Sequence, residues 1–409
     1  MVESRSPGAL EGMRVLDFTW VLAGPLLTRH LAYQGAEVIR VLAKARGDAR
    51  VIPAMAQGVG VETGSDKLSI GLNLATSEGR EFAQRLVEIS DIIVENYSVG
   101  VMERLSLGWD VVNSLNPSAI MVRFPPMGST GPLRDQITFG PNLTALTGLD
   151  ALAGYPGGIP AGMGTSYADF VSAAHGMVGL LACLLRRQIT GRGQLLEVAQ
   201  LESLVGVMGP EVMDVFSNGH VTPPQGNNLG YAAPHGCYPC LGDDSWCAIA
   251  VSDEKDWQAL RLAMGDPDWS GYPEFATLAN RLEYHQDLDI NIARWTRQFT
   301  PYQVMNRLQE SGIAAGAVQS ISDLIEKDEH LAFRGYVERT PIGAADTSVS
   351  LRRLEPRLSE TPGYARRGPA RFGEHNHYVF QELLGMGQGQ VQAYMNRGVI
   401  EELEPDLSL

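Results

Sequence analysis

Asp169 is the residue in this chain best placed to do chemistry. It lies in Gly164-Thr165-Ser166-Tyr167-Ala168-Asp169-Phe170, where a glycine-bearing loop gives way to the apolar run Val171–Leu185. A carboxylate at a loop-to-helix junction meets free backbone N–H groups and the positive end of the helix dipole, which favour its ionised form. It can serve simply as a cap. Set against an activated carbonyl, however, an aspartate is a covalent nucleophile. Other chemistry-bearing residues have ordinary readings. Cys237-x-x-Cys240 and Cys247 lack a paired His or Cys spacing that would complete a four-ligand zinc site, so core packing is expected and a metal is not. Glu374-His375-Asn376-His377 is expected to cap and decorate the last main helix, and His175 to be a satisfied core histidine. The glycine signatures of dinucleotide folds and P-loops and the serine-hydrolase elbow do not occur.

The elements that must position Asp169 are legible from periodicity. Met13–Phe18 reads as a buried strand, Trp20–Pro25 as a loop, Leu26–Gln34 as a helix closed by Gly35, and Glu37–Val41 as a second strand. Lys67–Asn73, Asp91–Glu95 and Ala119–Phe124 read as further strands. Between the first two of these runs a helix, capped by Thr76 or Ser77 and ending at Ile89. Strands alternating with helices predict an α/β fold with an open parallel sheet, whose ligand sites lie at the carboxyl ends of the strands. The loops beginning at Thr19, Leu42, Asn96 and Pro125 are therefore the places to look. Beyond Asp169 the chain reads as mostly helical to Phe216, with a strand at Gln194–Val198. The expected organisation is a large domain over 1–217, a linker over 218–234, a smaller α/β domain over 235–325, and a Pro-marked return segment over 326–409 that completes the large domain.

Bulk composition narrows the function. The 409 residues suffice for two cores, and 44 % hydrophobic with 19 % charged suits a globular enzyme. A net charge of −15 argues against a nucleic-acid partner. The four cysteines and the polar opening stretch point to a cytoplasmic protein, and Val171–Leu185 is expected to be a buried helix too short for a bilayer, so no membrane partner is expected.

Seven motifs follow one another in a specific order: Arg14-Val15-Leu16-Asp17-Phe18-Thr19 with Ala23-Gly24-Pro25; Gly35-Ala36-Glu37-Val38-Ile39-Arg40; Asp91-Ile92-Ile93-Val94-Glu95-Asn96-Tyr97; Gly131-Pro132-Leu133-Arg134-Asp135; Ala168-Asp169; Thr190-Gly191-Arg192-Gly193-Gln194; and Gly373-Glu374-His375. In this order they resemble the class III coenzyme A transferases of the CaiB/BaiF family over nearly the whole chain. The resemblance implies that Asp169 is the nucleophile, passing through an aspartyl–acyl anhydride and an aspartyl-CoA thioester. It implies no tightly bound cofactor, with coenzyme A and acyl-CoA as substrates. It also implies CoA contacts at Arg40, Leu72, Asn73, Asn96, Tyr97 and Arg104, the two arginines pairing with phosphate and Leu72 and Tyr97 flanking adenine. The implied architecture is a ring interlocked with a partner, either an identical chain or a related subunit.

Departures from the family pattern bear on the substrate. Trp20-Val21-Leu22 replaces a polar stretch of formyl-CoA transferases, and Gly226-Asn227-Asn228-Leu229-Gly230 replaces their tetraglycine loop. A pocket lined by Trp20, Leu22, Gly140, Asn228 and Gly230 is expected to take a bulky acid, aromatic or branched, and the resemblance to the benzylsuccinate CoA transferases suggests succinyl-CoA as the CoA donor. Lys67-Leu68-Ser69 replaces the usual Lys-Arg-Ser. The rival with the same fold, an acyl-CoA racemase, needs a second base near Pro141, where no side chain can accept a proton. An intramolecular isomerase, or one subunit of a heteromeric transferase, fits the same residues.

Overall fold

The computed structural model describes residues 8–44, 59–341 and 348–402. The chain divides into two units, one of residues 1–149, 162–220 and 333–409 and the other of 150–161 and 221–332. Residues 150–161, which sequence periodicity placed in the large domain, cluster with the second unit.

The first unit is built on a seven-stranded sheet ordered β12-β3-β2-β1-β4-β5-β6. Its strands are β1 (Arg14–Asp17), β2 (Glu37–Leu42), β3 (Leu68–Leu72), β4 (Ile92–Glu95), β5 (Ile120–Arg123), β6 (Leu195–Glu197) and β12 (Ile400–Glu401). Pairing is parallel except for β12, which runs antiparallel to β3, and β10 (Val337–Pro341) and β11 (Ser348–Arg352) form a separate antiparallel pair. Register and the two-residue side-chain period together explain the two cores. Leu16 aligns with Ile39 and Ile93, and Ile93 with Met121, all on one face. Val15 aligns with Val38 and Ile92, and Ile92 with Ile120, on the other. Helices cover both faces, so the strands read as continuous apolar runs.

Helix α1 (Ala23–Tyr33) and helix α5 (Tyr167–Thr190) cover the second of these faces. Helix α2 (Ser77–Glu88) covers the first; Thr76 caps it by accepting from the Gly79 N–H at 3.0 Å, and Phe82, Ala83, Leu86 and Val87 are buried. Helices α3 (Val101–Arg104) and α4 (Gly140–Leu146) are short.

Three expectations need correction. Helix α5 is longer than its apolar run, with 24 residues, and by length and composition alone could cross a membrane. Half of its most apolar window is buried, and Leu180, Cys183 and Leu184 pack with Val122 and Phe124, as a core helix does. His175 is exposed on the outer side of α5, with Nδ1 2.9 Å from the Val171 carbonyl, because the helix turns its other face to the sheet. His375 and Asn376 fasten the returning chain to β3 instead of decorating a helix. Their side chains accept from the Ser69 N–H (3.2 Å) and the Gly71 N–H (3.0 Å), and the Asn376 amide donates to the Glu401 carbonyl at 2.9 Å.

The second unit has its own antiparallel sheet of β7 (His235–Pro239), β8 (Trp246–Ala250) and β9 (Ala314–Ala317). Its core includes Cys240, Cys247, Trp257, Ile249 and Leu288, which accounts for two of the cysteines as packing residues.

Candidate active site

Strand order reverses between β1 and β4, and an open parallel sheet offers a crevice outside the carboxyl ends at such a switch point. The segments leaving these strands are joined there. The Asn96 side chain accepts from the Trp20 N–H at 2.9 Å and donates to the Trp20 carbonyl at 2.8 Å. The Phe18 N–H donates to the Val94 carbonyl at 2.9 Å.

Asp169 is in the first turn of α5, three residues past Ser166, which occupies the cap position. Its Oδ1 accepts from the Ala23 N–H, at 3.2 Å, which opens α1. Helix α1 has no side-chain cap of its own and no acidic residue in its first turn, so Asp169 supplies the anion that its N-terminus lacks. Two helix N-termini thus converge on one carboxylate. Gly140, the first residue of α4, lies against the other oxygen: a Cβ there would sit 2.7 Å from Asp169 Oδ2. Burial pushes the Asp169 carboxyl up to about 6, with the Ala23 N–H and its own backbone N–H pulling the other way. The dipole does not hold the carboxyl at an ordinary acidity, as the sequence suggested; burial outweighs it. The group remains largely ionised at pH 7, poorly solvated, with one oxygen anchored and one facing a glycine. Those are the requirements for a carboxylate nucleophile.

The remaining expected residues fall into three groups. Trp20, Asn96 and Tyr97 lie at the switch point, with Trp20 partly exposed and the Tyr97 N–H donating to Glu95 Oε2 at 2.8 Å. Arg40 ends up beside Asp17, its register partner on β1, and its charge acts on the Asp17 carboxyl. Arg104 is exposed on α3. A second group is structural. Leu72 is fully buried in the core, so its side chain is not free to flank an adenine. Leu22 is buried with Leu26 and Ala173, holding α1 to α5 rather than lining a pocket. The Asn73 side chain accepts from the Ala75 N–H (3.1 Å) and donates to the Gly398 carbonyl (3.2 Å), shaping the turn into α2. Asn228 and Gly230 form the third group, in the second unit.

Sequence reasoning missed the Ala23 N–H, because a backbone donor has no residue signature. It also missed a buried cluster of Asp17, Thr28 and Lys67 beneath the Thr19–Ala23 loop. The available signal was a charged residue at the apolar end of β1 and another at the start of β3.

Residues 10–376 match CoA-transferase family III. The chain is 33 % identical to a succinyl-CoA–D-citramalate CoA-transferase of Chloroflexus aurantiacus, over 98 % of this chain and all of that one. It is 31 % identical to the beta subunit of a succinyl-CoA–L-malate CoA-transferase of the same organism, over 96 % and 98 % of the two chains. The fold is similar to that of a CaiB/BaiF family protein from Brucella suis, with a TM-score of 0.84, 23 % identity, and coverage of 92 % of this chain and all of that one. This chain therefore belongs to CoA-transferase family III and is a CoA transferase.

Proposed function

We propose that the enzyme moves CoA from succinyl-CoA to a branched carboxylic acid by covalent catalysis at Asp169. The observation that carries this reading is the carboxylate itself, with Oδ1 on the Ala23 N–H and Oδ2 against Gly140. Oδ2 attacks the thioester carbonyl carbon, the C–S bond breaks, and CoA leaves as thiolate from a mixed anhydride. The thiolate attacks Asp169 Cγ, the anhydride C–O bond breaks, and succinate leaves, so that Asp169 holds CoA as a thioester. The acceptor carboxylate attacks Cγ and displaces CoA thiolate, which then takes the acceptor's acyl group and frees Asp169. Each attack on Cγ places negative charge on the aspartyl carbonyl oxygen, where the Ala23 N–H is an oxyanion donor supported by the α1 dipole. Burial serves the anhydride, since water would destroy it.

The succinyl donor is supported by the names of the relatives, which act with succinyl-CoA on D-citramalate and L-malate. A branched acceptor fits the partly exposed Trp20 beside the switch point, and an aromatic acid is its competitor in the test. The deciding experiment is incubation with succinyl-CoA, trapping by hydroxylamine or borohydride, and mass mapping of the modified peptide, followed by a panel of branched, aromatic and hydroxy-acid acceptors. Label on a peptide without Asp169 overturns the reading. Because Asp169 attacks as the anion, kcat/KM for succinyl-CoA should fall tenfold per pH unit below about pH 6. A profile flat down to pH 5 would count against the assignment.

We also propose that the chain works as an interlocked dimer. The outer face of α5 bears Phe170, Val178, Leu181, Leu185 and Ile189, all exposed and on one side of the helix. Leu181→Glu with Leu185→Glu should convert the dimer to monomer or aggregate by size exclusion with light scattering. A native enzyme that is already a stable monomer would refute it. Whether the partner is identical is a second outcome, since the malate relatives include alpha and beta subunits.

A further inference from the structure

We infer that Lys67, Asp17 and Thr28 form a buried positioning device that sets the Thr19–Ala23 loop and so holds the Ala23 N–H on Asp169. The inference rests on Asp169 being the nucleophile. Lys67, at the threshold of β3, is 1 % exposed. Its ammonium donates to Asp17 Oδ2 at 3.0 Å, to Thr28 Oγ1 at 2.6 Å and to the Pro25 carbonyl at 3.1 Å, which uses all of its protons. Asp17, fully buried at the end of β1, accepts the Thr28 hydroxyl on the same oxygen at 2.7 Å. Its other oxygen accepts the Thr19 N–H at 2.8 Å and the Thr19 hydroxyl at 2.5 Å. The cluster therefore grips the chain twice, at Thr19 where it leaves the sheet and at Pro25 and Thr28 where it has entered α1.

The span between those grips is short and forced. Val21 has φ +62°, a left-handed conformation that a β-branched residue adopts only where its surroundings dictate it. The ends of the span touch, since a Cβ on Gly24 would lie 2.4 Å from the Thr19 methyl. Leu22 is pinned among Leu26 and Ala173 of α5, and Asn96 holds Trp20 from the β4 side. The next N–H along the chain is that of Ala23. A buried ion pair seldom stabilises a fold more than apolar side chains of equal volume, so stability alone does not account for this one. Arg40 on β2 and Arg29 on α1 also act on it. Burial pulls Lys67 down to about 8, with Asp17 opposing and both arginines adding to the fall. Asp17 is held below its ordinary value against burial by Lys67, Arg40 and the Thr19 and Thr28 hydrogen bonds.

Lys67→Met alone would strand a buried carboxylate and is expected to unfold, so the test uses Thr28→Val, which keeps the Lys67–Asp17 pair, and the double variant Asp17→Asn/Lys67→Met, which removes both of its charges together. Ser90→Ala is the control, because Ser90 is equally buried and its hydroxyl donates to the Leu86 carbonyl, at 2.6 Å, far from Asp17 and Lys67 in the hydrogen-bond network. With succinyl-CoA as probe, kcat should fall about tenfold to a hundredfold in both test variants while KM stays nearly constant. The acid limb of kcat/KM should move to higher pH, because Asp169 loses an N–H that favours its anion. Ser90→Ala should lose thermal stability and leave the limb in place. A folded Thr28→Val enzyme with native kcat and an unmoved limb overturns the inference, as does a control that shifts the limb equally. If the native enzyme traps nothing on Asp169, the covalent chemistry is wrong and the inference falls with it. If the native enzyme and both variants trap at the same rate, the chemistry stands and only the positioning role is lost.

Discussion

Asp169→Asn should fold, gain stability at neutral pH, and lose at least about 10⁴-fold in kcat/KM, the scale on which an enzyme depends on its nucleophile. Asparagine is the informative choice because its amide oxygen can still accept the Ala23 N–H, so α1 keeps its cap; alanine would also remove that bond. The stability gain follows from linkage. Burial raises the folded carboxyl to about 6, above its value in the unfolded chain, so the folded state binds a proton more tightly and is disadvantaged wherever the group is ionised. Native stability should therefore rise as pH falls from about 6 towards 4, and the variant's advantage should be full above pH 6 and vanish near pH 4. Allowing for partial solvation, the advantage at pH 7 is on the order of 1–2 kcal/mol. Thermal unfolding at the two pH values measures it, and steady-state exchange measures the activity. Residual turnover within a hundredfold of native would remove Asp169 from the centre of the mechanism.

Gly140→Ala should also be damaging to activity, though less than loss of the nucleophile itself, and should leave the fold intact. The added Cβ would lie 2.7 Å from Asp169 Oδ2 and 3.0 Å and 3.2 Å from the Ser166 Cβ and Cα. Ser166 immediately precedes α5, so its backbone can retreat only by moving the helix that carries Asp169. The carboxylate must instead turn, either abandoning the Ala23 N–H or pointing its attacking oxygen away from the thioester. A misplacement of that order costs about a hundredfold in rate. Activity close to native, with an unchanged melting temperature, would mean that Oδ2 does not need the space above Gly140.

How far the sequence could be read depends on which forces set each feature. The strands at the centre of the sheet were plain because burial on both faces makes them uniformly apolar, and Gly35 and Thr76 marked the ends of neighbouring helices with ordinary turn and cap chemistry. Asp169 stood out by its place before an apolar helix. Its partner did not, because the contact joins two helices distant in the chain through a backbone group. Leu22 and Leu72 illustrate a related difficulty: an apolar residue beside a ligand loop looks the same in sequence whether it faces a pocket or the core, and here both side chains pack in buried apolar clusters. The start of α1 was placed too late because Gly24-Pro25 reads as a loop. Proline at the third helical position costs no hydrogen bond, and the Asp169 carboxylate takes the place of the missing cap.

Strand β12 has a consequence for biosynthesis. It closes the outer side of β3 with residues made hundreds of positions later, Ile400 and Glu401 against Leu72 and Gly71. A growing polypeptide on the ribosome must therefore carry β3 with one row of backbone groups uncovered until synthesis nears those residues. The site at the opposite flank of β1 can be assembled sooner, yet the sheet that supports it is finished only after codons 400 and 401 are read, and a message truncated shortly before codon 400 should yield chains that chaperones retain or proteases clear.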